Sequence, residues 1–337
     1  MSRFSMPVLA SASVLIAMPA IAQKAETSPA KDNRGTFNFV LENDWFGDQD
    51  RNYTNGFRLG YLSAPKDAQW VDSALANLFT KEGEEATIRR GFAVGHSVFT
   101  PRDISETEFI PDQHPYAGYL YLEATSLIET ENAIDQVSIR LGQVGKSAGG
   151  EWLQEEFHSL ISDDLPLGWE NQVGEQFGAD LVYDRRYRAL ANFGNSDYGV
   201  DLVPNAGFTL GTLNTNARAG LTARFGNDLK NDYGPPRIRP SLAGAGYFEP
   251  DDDFSWYVFG GAEARYVAHD YILDGSLFDD TDTRSIHTER LVHDLQAGLV
   301  LQWGRNQISL TYVERSKQFE EQTTPQRFGA IGWSVKL

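Results

Sequence analysis

The chain has 337 residues, a formal net charge of −18, no cysteine and a mean hydropathy of −0.40. That charge excludes the basic footprint of a nucleic-acid-binding protein. The missing cysteines exclude a disulfide framework, and nothing after Ala22 offers the run of about 18 apolar residues that a membrane helix needs. An acidic soluble domain and a membrane β-barrel remain, since in a barrel only alternate residues meet lipid.

In chain order, the first element is a leader. Arg3 supplies positive charge, Met6 to Ile21 is apolar or small, and Ala20-Ile21-Ala22 has the pattern of a small-residue cleavage site. The expectation is a signal peptide over 1–22, with the mature domain over 23–337 beginning at Gln23. Period-2 alternation then recurs to the end of the chain. Ala217, Ala219, Leu221, Ala223 and Phe225 alternate with polar residues and glycine, and so do Leu295, Ala297, Leu299, Leu301 and Trp303. Twelve such runs lie near 36–44, 52–63, 87–99, 116–129, 133–144, 177–193, 198–212, 215–226, 255–268, 289–303, 306–317 and 326–337. Many reach about 10 residues, enough to cross a bilayer on a tilt, where strands of soluble sandwiches are usually nearer 5 or 6. Trp256, Tyr266, Trp303, Tyr312 and Trp333 fall near strand ends, where aromatic girdles form. The predicted fold is an all-β, twelve-stranded antiparallel transmembrane barrel of one domain. Gly304-Arg305-Asn306 reads as a tight hairpin. The long polar segments 64–86, 100–115, 145–176, 227–254 and 269–288 are expected together on the extracellular side.

Two constellations could carry chemistry. The first is Glu42-Asn43-Asp44-Trp45-Phe46, followed by Asp48, Asp50-Arg51 and Tyr53-Thr54-Asn55-Gly56. Carboxylates and amides at this density suit a hard cation such as calcium, and they equally suit a solvated hairpin tip. By parity, Asn38, Glu42 and Asp44 face into the barrel, as do Thr54 and Arg58, with Tyr53, Phe57 and Leu59 facing out. The second is a helix over 151–161, unusual in a barrel loop. Leu153, Phe157, Leu160 and Ile161 share one face, and Gln154 and His158, four apart, stack at its margin. A histidine there is either a general base beside a lipid substrate or a structural residue of a plug helix. The other histidines read as strand or loop surface. Gly145-Lys146-Ser147-Ala148-Gly149 matches the G-x-S-x-G pattern, but that elbow belongs to a parallel α/β sheet, so Ser147 is not expected to be a nucleophile.

Taken together, Glu42-Asn43-Asp44 with Asp50-Arg51-x-Tyr53-Thr54-Asn55-Gly56, Pro115-Tyr116-Ala117-Gly118-Tyr119-Leu120-Tyr121, Gly150-Glu151-x-x-Gln154-x-x-x-His158, Gly168-Trp169-x-Asn171-Gln172 and Tyr312-x-x-Arg315-Ser316-x-x-Phe319 resemble the outer-membrane lipid A 3'-O-deacylase family. The resemblance spans most of the mature chain. It implies calcium-dependent hydrolysis of ester-linked acyl chains of lipid A in the outer leaflet of the Gram-negative outer membrane. His158 would be the base, with Gln154 beside it. Asn43 and Thr54 would line the site, and Asp44, with Glu42, would hold Ca2+. It also implies lipopolysaccharide and outer-membrane lipids as partners, and the barrel-assembly machinery during insertion. The lysine that deacylases of the family carry after the third strand has no match in Thr100 to His114, where Arg102 is the only basic residue before His114. The alternatives are an outer-membrane phospholipase and a non-catalytic barrel or pore.

Overall fold

The computed structural model describes residues 32–49, 51–65, 74, 77–80, 84–161, 165–188, 190, 192–194, 198–234, 238–239, 242–243, 247–278 and 286–337. The expected leader and its cleavage site lie outside the described residues.

Twelve long strands form the wall: β1 (Thr36–Asn43), β2 (Asn52–Leu62), β3 (Thr87–Thr100), β4 (Ala117–Glu129), β5 (Ala133–Val144), β6 (Gln176–Tyr187), β7 (Gly199–Gly211), β8 (Asn214–Gly226), β9 (Asp251–Asp270), β10 (Leu291–Gly304), β11 (Asn306–Arg315) and β12 (Gln326–Lys336). Each pairs antiparallel with the next. β12 returns to β1, with Thr36 opposite Lys336 and Asn43 opposite Gly329, and the sheet closes. Closure satisfies every edge, which an isolated sheet in lipid could not do. The strand expected over 177–193 stops at Tyr187, and the one expected over 255–268 extends to Asp251–Asp270.

The wall has its polarity reversed relative to a soluble barrel. Phe92, Leu122, Ile139, Phe177, Leu210 and Leu295 are exposed on the outside, and Tyr266, Trp303, Tyr312 and Trp333 are exposed near strand ends. The inside holds buried ion pairs: Arg58 and Arg140 on Glu123 (2.8 and 2.9 Å), Arg218 on Asp184 (2.7 Å), Arg224 on Asp201 (2.6 Å) and Arg315 on Asp294 (2.8 Å). Charges so far from water persist only when paired. Among the described residues no helix is long and apolar enough to cross a membrane; the strands do the crossing.

Two sequence expectations need correcting. Antiparallel order fixes the end at which each connection emerges, and it does not gather the long ones together. Connections 44–51, 101–116, 145–175, 271–290 and 316–325 share one end, the mouth. The long connections 63–86 and 227–250 emerge at the other end, with the start of β1 and the end of β12. Segment 227–250 has a core role there: Leu229, Tyr233, Tyr247 and Phe248 are all buried. The second correction concerns parity. Tyr53, expected to face lipid, is fully buried. The β2–β3 register passes from Tyr53 opposite Phe99 to Asn55 opposite Val98, so Thr54 is an extra residue. Such a bulge turns two consecutive side chains to one side, and Tyr53 and Thr54 both point inward.

Candidate active site at the barrel mouth

The mouth is organised by a helix, α1 (Gly150–Ile161), in the β5–β6 connection. Gly145 and Gly149 have positive φ, 106° and 74°, on either side of a short 3-10 turn over Lys146–Ala148 that redirects the chain from β5 into the helix. The helix start is pressed against the wall. A Cβ on Gly150 would lie 2.7 Å from Gly118 Cα, and one on Gly118 would lie 2.8 Å from Gly150 N. Only glycine at both positions allows that approach. His96, buried on β3 and not on the surface as its sequence context suggests, adds an Nε2 hydrogen bond to the Ala148 carbonyl at 2.7 Å. His114 is likewise buried, its ring stacked on Phe99 with centroids 5.2 Å apart.

The buried side of α1 is polar. Gln154 and His158 are each 3% exposed, whereas Leu153 and Phe157 are half-buried. The apolar stripe expected to be buried is therefore the flank, and the pair expected at its margin is the centre. The side chains of 160 and 161 lie outside the described residues. Trp169 explains how a buried amide is tolerated: its indole Nε1 donates to Gln154 Oε1 at 2.9 Å. That bond requires the oxygen at this position and turns Gln154 Nε2 toward His158 Nε2, 3.5 Å away. An amide nitrogen only donates, so neutral His158 meets it with an unprotonated Nε2 and carries its proton on Nδ1. The contact is at the long limit of a hydrogen bond and engages the Nε2 lone pair only weakly.

Trp169 is itself held by the 101–116 connection. Its ring lies against Tyr116, with centroids 4.9 Å apart, and Val98 completes a buried cluster onto which Ile104 and Leu153 pack. Leu167 N–H donates to the Ile104 carbonyl at 2.8 Å, and Asn171 Nδ2 to the Thr107 carbonyl at 2.9 Å. The sequence marks Trp169 only as part of a motif. Its bond to Gln154 spans 15 positions and has no periodic signature.

The acidic constellation sits at the same end, where β1 turns into β2. Asn43 caps a 3-10 turn over Asp44–Gly47, its Oδ1 accepting from Trp45 N at 2.7 Å. Asp44, 1% exposed, accepts from Arg51 N–H through Oδ2 at 2.7 Å, which fixes the carboxylate across the turn. Thr54 shares a hydroxyl hydrogen bond with Thr100 at 2.7 Å. Glu42 lies one step down the wall, where its Oε2 accepts from Tyr53 OH at 2.8 Å within electrostatic reach of Arg315. The structure thus pairs Gln154 with His158, Asp44 with Arg51, Thr54 with Thr100 and Glu42 with Tyr53. Among the described residues no three His, Asp or Glu side chains gather as a metal cluster. An ion at Asp44 would need amide, hydroxyl and carbonyl oxygens besides carboxylate, a donor mixture that calcium accepts. Ser147 is engaged elsewhere: its N–H donates to Glu175 Oε1 at 2.7 Å and its hydroxyl to Glu175 Oε2 at 2.5 Å, clasping the loop.

A closed barrel with an apolar outside, a charged inside and a helix-bearing mouth defines an integral outer-membrane β-barrel. The chain belongs to the outer membrane protein LpxR family, whose profile matches residues 9–337. Its fold is similar to that of LpxR from Salmonella typhimurium, with a TM-score of 0.74 and 17% identity over 90% of this chain and 100% of that one. The β domain of the Bordetella autotransporter BrkA is more distant, with a TM-score of 0.44 and 10% identity over 90% of this chain and 99% of that one. A search of curated protein sequences finds no significant match.

Proposed function

We propose that the protein is a calcium-dependent lipid A deacylase of the outer leaflet, hydrolysing an ester-linked acyl chain at the 3'-position. Family membership supports a lipid A-modifying enzyme of the outer membrane. The observation that carries the hydrolytic reading is the Trp169–Gln154–His158 chain of contacts, which fixes a buried imidazole at the mouth of a membrane barrel.

In this reading His158 Nε2 takes a proton from the attacking water and returns it to the leaving alkoxide. Gln154, locked by Trp169, orients the ring. Asp44 is the carboxylate for calcium. Asn43 and Thr54 line the same turn and strand start, and Glu42, engaged by Tyr53, holds the turn's inner side. Calcium, when bound, would polarise the ester carbonyl and offset the charge that develops on its oxygen. Ser147 has no part, since its hydroxyl is held by Glu175 rather than by a histidine.

The test is mass spectrometry of lipid A from cells with and without the protein, alongside the purified protein acting on lipid A and on phospholipid with calcium present. Loss of one ester-linked acyl chain from lipid A alone is expected. Release from phospholipid instead would make the protein a phospholipase, and inertness toward both would make it a non-catalytic barrel.

A further inference from the structure

Beside the acidic turn, the mouth carries a cleft with about 590 Å³ of empty space, between the 101–116 and 316–325 connections. Its lining includes Arg51, Arg102, His114, Phe319, Asp112 and Glu321. The two arginines are unusual in a chain with 47 acidic and 29 basic residues. Most other arginines inside this barrel are matched to carboxylates, whereas among the described residues neither Arg51 nor Arg102 makes an ion pair within 4.0 Å.

The arrangement holds like charges together. Arg51 is pinned by Nη2 donating to Thr324 Oγ1 at 2.6 Å and by its carbonyl accepting from Gln326 Nε2 at 2.8 Å. Its Nε is buried without a hydrogen-bond partner. Gln113 Oε1 accepts from Arg102 N at 2.8 Å and so fixes the backbone that carries the second guanidinium. Arg102 and Arg327 lie within electrostatic reach of the Arg51 guanidinium, as does Asp44. The acids of the lining act elsewhere: Glu321 accepts from His287 Nδ1 at 2.6 Å, and Asp112 also acts on that imidazole. Two guanidinium side chains lining one open cleft are complementary to a compact dianion, and guanidinium forks match phosphate oxygens in particular.

We propose that Arg51 and Arg102 form a phosphate-binding subsite in the mouth cleft, which takes a phosphate monoester on the sugar headgroup of the lipid and so positions the acyl ester beside Asp44. This rests on the deacylase reading for its consequence, but not for the binding itself. The geometry supports it, because Arg51 is also the residue whose backbone N–H holds the Asp44 carboxylate. Headgroup capture and the acidic turn thus share one residue.

The experiment compares wild type, Arg102→Gln and Arg102→Lys. Arg102 is exposed, and its structural bond is made by backbone, so the fold is retained. Binding would be measured by co-sedimentation with phosphatidylcholine vesicles doped with lipid A, either intact or enzymatically dephosphorylated, with inorganic phosphate as competitor. Arg102→Gln should weaken binding to intact lipid A about 10- to 100-fold, the size expected for losing a charged hydrogen bond. Binding to dephosphorylated lipid A should be unchanged, and Arg102→Lys should recover part of the loss. The same variant should raise KM on the intact substrate and leave kcat near wild type. Competition by inorganic phosphate in the wild type, absent from Arg102→Gln, would mean the subsite takes free phosphate as well; its absence from both would tie the site to the headgroup. Equal binding of both lipids by wild type and Arg102→Gln overturns the proposal. If the binding difference persists and no acyl chain is released, the subsite stands and the deacylase reading fails.

Discussion

The two ends of the barrel both contain buried polar networks, and they are built on different principles. At the end where β1 starts and β12 finishes, Glu129 accepts from Tyr247 OH at 2.8 Å, Tyr233 OH at 3.3 Å and Arg188 Nη2 at 3.3 Å. Lys336 Nζ lies 3.2 Å from Asp32, and Arg89 donates to the Asp32 carbonyl at 2.7 Å while its guanidinium covers the Tyr247 ring. Burial, and next the charge of Glu129, push both tyrosine hydroxyls above their ordinary range, so they stay protonated as donors. Carboxylates, cations and phenols pair with one another there and fasten segment 227–250 into the barrel. At the mouth, by contrast, polar side chains are oriented from one side. Trp169 holds Gln154, Arg51 N–H holds Asp44, and Arg51 and Arg102 face a cleft with no ion pair within 4.0 Å among the described residues. A network of buried acids, cations and phenols paired with one another secures a fold, whereas oriented polar groups beside an open cleft suit a ligand.

The largest expected effect tests whether the mouth is the chemical end. His158→Ala and His158→Gln should lower deacylation by about 10²- to 10⁴-fold, the usual worth of general-base assistance, while heat-modifiable migration shows the barrel intact. Retained activity in both would break the comparison at its most important point. Next comes the acidic turn. Asp44→Asn keeps an oxygen for Arg51 N–H and removes the charge. Activity should drop about 100-fold or more, as when a main stabiliser of developing charge is lost, and a calcium chelator should do the same to wild type. Full turnover in chelator by both proteins would make the turn purely structural.

A subtler test separates orientation from chemistry. Trp169→Phe keeps a ring against Tyr116 but removes the donor to Gln154. The amide can then flip and present its oxygen to His158, favouring the other tautomer. We expect kcat to fall about 10-fold, consistent with the cost of about 1–2 kcal/mol for one misplaced hydrogen bond, with KM nearly unchanged. A pure KM effect would assign Trp169 to substrate binding instead.

This relay also shows where sequence reading reached and where it stopped. Strand alternation is a period-2 signal repeated twelve times, and it located each strand within a few residues over most of the wall. Gln154 and His158 were legible as a pair because a helix brings positions four apart together. Trp169 was not, because its contact crosses a loop and depends on how 101–116 folds over it. Tyr53 was assigned to the wrong face because one bulged residue inverts parity from that point to the strand end. The end at which each long connection emerges follows from strand number rather than composition, and polar character alone misassigned 64–86 and 227–254.

At the end opposite the mouth the expected effects fall on stability. Glu129→Ala removes the acceptor shared by two phenols and a guanidinium, while Tyr247 OH keeps Glu249, Tyr233 OH keeps the Thr130 carbonyl and Arg188 keeps Tyr233 OH. Arg188 is also about one-third exposed and regains water, so the cost should be about 0.5–1.5 kcal/mol, the net worth of a lost hydrogen bond rather than of stranded donors. A lower urea midpoint in detergent should report it, and activity per folded molecule should stay at the wild-type level. A comparable loss of turnover would show that the two ends are coupled.

The smallest effect concerns Asp32, which joins the chain before β1 to this same end through Lys336 and through its own N–H to Glu249 at 3.1 Å. Burial pushes its carboxyl up, but the hydrogen bonds and charges of Arg34 and Lys336 outweigh that and hold it below the ordinary aspartate value. The folded pKa is therefore lower than the unfolded one. The stabilisation is fully present above the unfolded value, near about 3.9, and is lost as pH falls through the folded one. The urea midpoint should hold its Asp32-dependent part from neutral pH down to about 4 and lose it below. Asp32→Asn should remove the same part at neutral pH and flatten the acid limb, leaving the mouth's rate per folded molecule unchanged. An acid limb identical in wild type and Asp32→Asn would show that the latch at this end rests on Glu129 and the two tyrosines alone.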